Sequence, residues 1–246
     1  MAGRTFVTGD IHGDLDALLT VLGQLPPLDS GDTLVFLGDY LDRGPRSAQV
    51  IEHIRSLARR IPAKVVALRG NHEDAWLRVV DHGWPEFVLP SGHGCREAME
   101  SYLGKQRGDL DATMLEVMLR GRFLPRDVVA WLRTLPHFYE DEHAIYVHAG
   151  LVAAQDGSFL HPSETAQKVA LLWVRDQRFF RDYRGKRVVF GHTVTEMLPE
   201  ELSSFTPEDP SDMWAGPCTI GLDTGAGKGG FLTTLELPSL TVYESR

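Results

Sequence analysis

Five short apolar runs in this chain end in residues able to bind metal ions. They lead into Gly9-Asp10-Ile11-His12-Gly13, Gly38-Asp39-Tyr40-Leu41-Asp42-Arg43-Gly44, Gly70-Asn71-His72-Glu73, Val147-His148-Ala149-Gly150 and Phe190-Gly191-His192-Thr193. Strands of β-branched residues pack without a terminal Asp or His, so polar groups after all five runs call for a chemical reason. The donors are two carboxylates, one amide and three or four imidazoles, with no thiolate. Such a set suits first-row divalent ions such as Mn, Fe or Zn better than a Cys-type structural zinc site. Six ligands exceed what one catalytic ion with an open position requires; they match two ions sharing a bridging carboxylate and a bridging water as nucleophile.

The elements that must position these groups follow from the spacing. Asp10, Asp39 and Asn71 recur at roughly the 30-residue interval of one βαβ unit. Successive parallel strands would set them side by side at one carboxyl edge, where open α/β sheets bind ligands. RTFVTG, TLVFLG and KVVALRG predict strands, with helices over 14–22 and 48–57, Asp14 and Asp16 being suited to the N-cap. From Glu73 to about Leu135 apolar residues fall at helical spacing, as in Leu115, Met118 and Leu119, then Val128, Val129 and Leu132, which predicts a helical cap insertion. Strands are expected over 144–148, 187–191, 218–222 and 231–237, and an irregular loop over 203–216. No composition shift marks a linker, so residues 1–246 read as a single α/β domain.

Composition excludes several roles. The 246 residues are 43% apolar, and 25 Lys+Arg stand against 34 Asp+Glu, a net charge of −9. That balance argues against a nucleic-acid or anionic-membrane partner held by bulk electrostatics. Cys95 and Cys218 lie far apart with no CxxC pair and read as free thiols of a reducing compartment. The N-terminal MAGRTFVTGD has no long apolar run, and no stretch reaches membrane-span length, so a cytoplasmic protein is the expectation. Gly225-Ala226-Gly227-Lys228-Gly229-Gly230 satisfies GxGxxG, but a dinucleotide fingerprint must open a helix, and the following FLTTLEL alternates like a strand. A hairpin turn is expected there.

In order along the chain, GDIHG, GDYLDRG, RGNHE, VHAG and GHT resemble the motif series of calcineurin-like metallophosphoesterases. The resemblance is to the phosphoprotein phosphatase branch, shared by Ser/Thr phosphatases and symmetrical diadenosine tetraphosphatases. It implies an α/β fold with a two-sheet β-sandwich flanked by helices. It also implies two divalent ions, Mn first with Fe or Zn as alternatives: Asp10 and His12 on the first, Asp39 as the bridge, and Asn71, His148 and His192 on the second. His72 matches the family's general acid and Asp42 its carboxylate partner, which favours a protonated imidazole beside two cations. Arg43 matches a phosphate-contacting arginine, and Trp173-Val174-Arg175 resembles the W-x-R segment that supplies a second, Arg175; planar guanidinium forks suit phosphate oxygens.

The reaction so implied is direct attack of metal-bound hydroxide on phosphorus, without a phosphoenzyme. Its first substrate reading is a phosphorylated protein, as a phosphoserine or phosphothreonine monoester. The alternative is diadenosine tetraphosphate or another nucleotide anhydride, because these motifs hold the phosphoryl group and not what is attached to it. A third reading, a non-catalytic metal-binding scaffold, is disfavoured because every ligand and the general acid are present. His53, His82, His137, His143 and His161 carry no motif and read as surface or cap residues. His93 and Cys95 lie where related enzymes carry a Gly-rich lead into a helix, though the Gly-Gly and Thr pattern is missing. An acidic chain would thus hold one small cationic pocket.

Overall fold

The computed structural model describes residues 3–104, 110–204 and 209–246. The first half alternates as the spacing predicts: β1 (Thr5–Thr8), α1 (Leu15–Gln24), β2 (Thr33–Phe36), α2 (Ser47–Leu57) and β3 (Lys64–Ala67). Asp14 caps α1 by accepting a hydrogen bond from the Ala17 N–H at 3.0 Å, while Asp16 sits in the first turn. A helical run follows: α3 (Asn71–His82), α4 (Pro85–Val88), α5 (Cys95–Leu103), α6 (Ala112–Leu119) and α7 (Arg126–Thr134). It begins two residues before the expected boundary at Glu73, so Asn71 and His72 open a helix. Residues 105–109 of the expected insertion lie outside the described residues.

The second half contains β4 (Phe138–Glu140), β5 (Ile145–Val147), α8 (Gln177–Asp182), β6 (Val188–Phe190), β7 (Trp214–Ala215), β8 (Thr219–Gly221), β9 (Thr233–Leu237) and β10 (Thr241–Glu244). Two five-stranded sheets result, in the orders β10-β9-β1-β2-β3 and β4-β5-β6-β8-β7. Each has three parallel strands, β1, β2 and β3 in one and β5, β6 and β8 in the other, with antiparallel strands beside them.

Period-two alternation builds the layers. Phe6, Leu34 and Phe36 face the helices, packing with Leu18, Ile51, Trp76, Phe87 and Leu132. Their neighbours Val7 and Val35 face the second sheet and meet Tyr146, Val189 and Ile220. The far side of that sheet puts Ile145, Val147, Val188 and Phe190 against Phe179 and Phe180 of α8. Each side chain so enclosed contributes about 1.5–3 kcal/mol. The result is the two-sheet sandwich flanked by helices.

Three local expectations need correction. The run 225–230 is a tight turn, the Lys228 and Gly230 N–H groups donating to the Gly225 carbonyl at 2.9 and 3.0 Å, but it does not join paired strands as a hairpin would. β8 pairs with β6 and β7, and β9 with β1 and β10, so the chain here crosses from one sheet to the other. Leu222, Leu235 and Leu237 share the layer between the sheets, so burial across that layer, not pairing of β8 with β9, directs the crossing. The expected loop 203–216 contains β7, a two-residue strand whose Trp214 is buried against Phe190, and its residues 205–208 lie outside the described residues. The strand expected over 231–237 begins at Thr233.

Candidate active site

The carboxyl ends of five strands deliver the motif residues to one place. Asp10 and His12 follow β1, Asp39 follows β2, Asn71 opens α3 after β3, His148 follows β5 and His192 follows β6. All six are buried, as are Asp42 and His72. His12, Asp39, Asp42, Arg43 and His192 hold positive φ angles of 46°, 54°, 73°, 66° and 65°. Such backbone costs a non-glycine residue of order 1–3 kcal/mol and concentrates at functional sites.

The donor atoms converge. His12 Nε2 lies 3.4 Å from Asp39 Oδ2 and 3.9 Å from Asp10 Oδ2, and His148 Nε2 lies 3.4 Å from Asp39 Oδ1. Asn71 Oδ1 is 2.8 Å from both His148 Nε2 and His192 Nδ1. The far nitrogens are already engaged: His12 Nδ1 donates to the Leu41 carbonyl and His148 Nδ1 to the Leu37 carbonyl, each at 3.0 Å. In the neutral ring this leaves the Nε2 lone pairs turned inward, the tautomer that metal-binding histidines adopt. His148 Nε2, Asn71 Oδ1 and Asp39 Oδ1 then face one another as three acceptors with no donor among them. Cations satisfy that arrangement, and the donor set fits two of them.

Electrostatics agree. Burial pushes the Asp10 carboxyl up to about 6, with Asp39 adding to the rise. Burial also opposes ionisation of Asp39, but His148, His72, His12 and His192 surround it and hold its carboxyl well below the usual range. Burial, reinforced by Arg43 for His12 and by His148 for His192, keeps these two imidazoles below their ordinary pKa.

His72 stands apart from the other imidazoles. Its Nδ1 donates to Asp42 Oδ2 at 2.5 Å, and Asp42 is held from behind by the Trp76 indole N–H at 2.9 and 3.0 Å. Burial disfavours the charged ring, yet Asp39 and the Asp42 contact outweigh it and raise the His72 pKa. His72 Nε2 is 3.9 Å from Asp39, close enough to group with His12 and Asp39 as a possible ligand. A protonated imidazole cannot ligate, so the raised pKa favours the acid role; the Asp42 contact by itself also accompanies ligating histidines.

Outside this centre lies a cleft of about 440 Å³ lined by Arg43, Arg175, Lys228 and His192, with Ser91, Gly92, Gly94 and Glu97 from the helical run. Arg43 reaches the His12 imidazole, and its N–H donates to the Gly94 carbonyl at 3.2 Å. A Cβ on Gly94 would stand 2.0 Å from Arg43 N, which explains the glycine in SGHGC. Arg175 donates to the His192 carbonyl at 3.3 Å. His93 stacks on Phe87, with its ring centroid 6.4 Å from that of His72, and Cys95 is buried and free, its thiol pushed up by burial.

Two functional groups escaped assignment from sequence. Glu73 is fully buried and accepts the N–H groups of Asp39, Tyr40 and Gly70 at 2.8–2.9 Å, bracing the loop that carries Asp39. Burial and Asp39 raise its carboxyl to about 7. Asp223 follows β8 as Asp10 follows β1, so the same strand-end signal was present; it is buried and paired with Lys228 at 2.9 Å.

The sequence model of the family described as calcineurin-like phosphoesterase matches residues 3–196. This chain belongs to that family. Its members are metal-dependent phosphoesterases that bind a dinuclear metal centre. The symmetrical bis(5'-nucleosyl)-tetraphosphatase of Marinomonas sp. (strain MWYL1) is 32% identical over 154 residues, 62% of this chain and 46% of that protein. The serine/threonine-protein phosphatase rdgC of Drosophila melanogaster is 45% identical over 69 residues, 28% of this chain and 10% of that protein. The matches thus span about half the length of the tetraphosphatase and a small part of the phosphatase. In fold, the crystal structure of the cold-active protein-tyrosine phosphatase of a psychrophile Shewanella sp. matches with a TM-score of 0.60 and 18% identity, over 100% of this chain and 81% of that one.

Proposed function

We propose that this chain is a dinuclear-metal-dependent phosphoesterase, with residues 73–135 forming a cap beside its site. The observation that carries the reading is the pairing of a buried acceptor cluster with an imidazole, His72, held by Asp42 beside it, next to an arginine-lined cleft. Asp10, His12, Asp39, Asn71, His148 and His192 would hold the two ions, which supply Lewis acidity and a water made acidic enough to attack at neutral pH. Arg43 and Arg175 bind the non-bridging phosphoryl oxygens and orient phosphorus. As the bond from phosphorus to the leaving oxygen breaks, His72 passes its Nε2 proton to that oxygen, and Asp42, fixed by Trp76, holds the ring on line.

Phosphoserine and phosphothreonine in protein are the first substrates in this reading. A specific observation favours a second, the nucleotide anhydride: resemblance to tetraphosphatases extends over as much as 62–68% of the chain, whereas the serine/threonine phosphatases matched cover 27–36%. Hydrolysis of p-nitrophenyl phosphate with and without added Mn tests the common reaction. Metal-stimulated turnover that Asp39→Asn abolishes is expected. Wild-type turnover no higher than that of the variant overturns the enzyme reading.

A further inference from the structure

Lys228 stands where two clefts meet. It lines the catalytic cleft with Arg43 and Arg175, and it lines a second cleft of about 590 Å³ with Glu196, Phe231 and Arg246; Val194 and Lys228 belong to both. In the second cleft Arg246 is committed to Asp209, Asp212 and Glu244. Lys228 donates to Asp223 Oδ2 at 2.9 Å, and Asp223 is fully buried, its Oδ1 accepting the Gly225 N–H at 3.2 Å. An ammonium has three N–H groups, and this pair uses one. The contact with this buried side chain holds the lysine stem in one place, so part of the rotamer entropy of a free lysine is already lost. The loop itself is docked on the metal centre: a Cβ on Gly227, the preceding residue, would stand 2.4 Å from the His12 carbonyl oxygen.

We infer that Lys228 is a specificity-determining residue whose ammonium binds a second phosphoryl group, joined through an anhydride oxygen to the one that reacts. The inference rests on the phosphoesterase reading above. In an anhydride the second phosphoryl is tied to the first by one oxygen, so it stays beside the reacting centre, in the cleft that the Lys228 ammonium lines with Arg43 and Arg175. An acidic residue of a peptide hangs on a longer flexible spacer and loses more entropy on ordering. The remainder of the substrate passes Lys228 into the second cleft.

The test is calorimetric binding of methylenediphosphonate and of methylphosphonate to the Mn-loaded protein. The double variant Lys228→Met/Asp223→Asn removes the pair without stranding a buried carboxylate, and Lys228→Arg keeps the charge. Chelation of the ions favours the diphosphonate in every protein alike, so the change in preference isolates the lysine. The diphosphonate preference is expected to fall about tenfold or more in the double variant and to persist in Lys228→Arg. The ratio of kcat/KM for diadenosine tetraphosphate over p-nitrophenyl phosphate is expected to fall in parallel. A double variant that binds like the wild type overturns the inference. Failure of the wild type to hydrolyse either substrate would overturn the phosphoesterase reading instead, and the binding ratio would still report on Lys228.

Discussion

Burial works against a protonated His72, and two neighbours counter it. Asp39 raises its pKa through space, and Asp42 does so through a 2.5 Å contact. The Trp76 N–H then keeps Asp42 from turning away. A general acid matters in proportion to how badly the leaving oxygen needs a proton, which separates this role from a ligand role. His72→Asn should lower kcat by about 10²–10⁴-fold on phenyl phosphate, whose phenoxide leaves poorly, and by much less on p-nitrophenyl phosphate. Bound metal measured by atomic absorption should stay at the wild-type level. Equal losses on both esters, or loss of metal, would mean that His72 Nε2 ligates an ion, as its 3.9 Å approach to Asp39 would allow.

At the scale of elements, the site depends on loops forced into unusual backbone and wedged together. The crossing at 225–230 shows this most directly. Gly227 has φ 69° and leaves no room for a side chain against His12, whereas Gly229 has φ 93° but nothing within 4 Å of where its Cβ would be. Gly227→Ala and Gly229→Ala therefore share the cost of left-handed backbone and differ in the collision. Gly227→Ala should lower stability by about 1–3 kcal/mol more, read as a Tm several degrees below that of Gly229→Ala, and should weaken Mn binding. Equal Tm values for the two variants would show that the approach to His12 carries no load. The same elements show what sequence can reveal. Asp10, Asp39, Asn71, His148 and His192 were readable because each ends an apolar run, the first three at the roughly 30-residue interval of a βαβ unit. The wedge of 225–230 was not, because a glycine run between two strand-like segments reads alike whether the chain turns back or crosses between sheets. β4, β7 and β10 carry no terminal motif residue of the kind that marked β1, β2, β3, β5 and β6, which are themselves only three or four residues long. Glu73 was visible in its motif, but its duty, three backbone N–H groups on loops brought together by folding, is a property of tertiary structure.

Across the whole molecule, the acceptor cluster links the two sheets. Asp10, Asp39 and Asn71 come from the first, and His148 and His192 from the second. Without cations the cluster buries two carboxylates beside lone pairs that repel one another, a cost the sandwich must carry within a stability of only about 5–15 kcal/mol. Ions held by ligands from both sheets bind the folded chain and not the unfolded one. Their contribution is therefore read in global unfolding, not as local loosening of one loop. At an ion concentration of 100 times Kd, each site adds about 2.7 kcal/mol. For a chain of this size that corresponds to a rise in Tm of roughly 5–10 °C per site. Calorimetric unfolding of chelator-treated protein, with and without added Mn, should show this rise as a single transition moving upward. Asp39→Asn, which weakens the carboxylate shared by both donor groups, should lose most of the shift. A transition that stays in place when Mn is added would mean the cluster holds no ion, and would remove the basis for phosphoryl hydrolysis at this site.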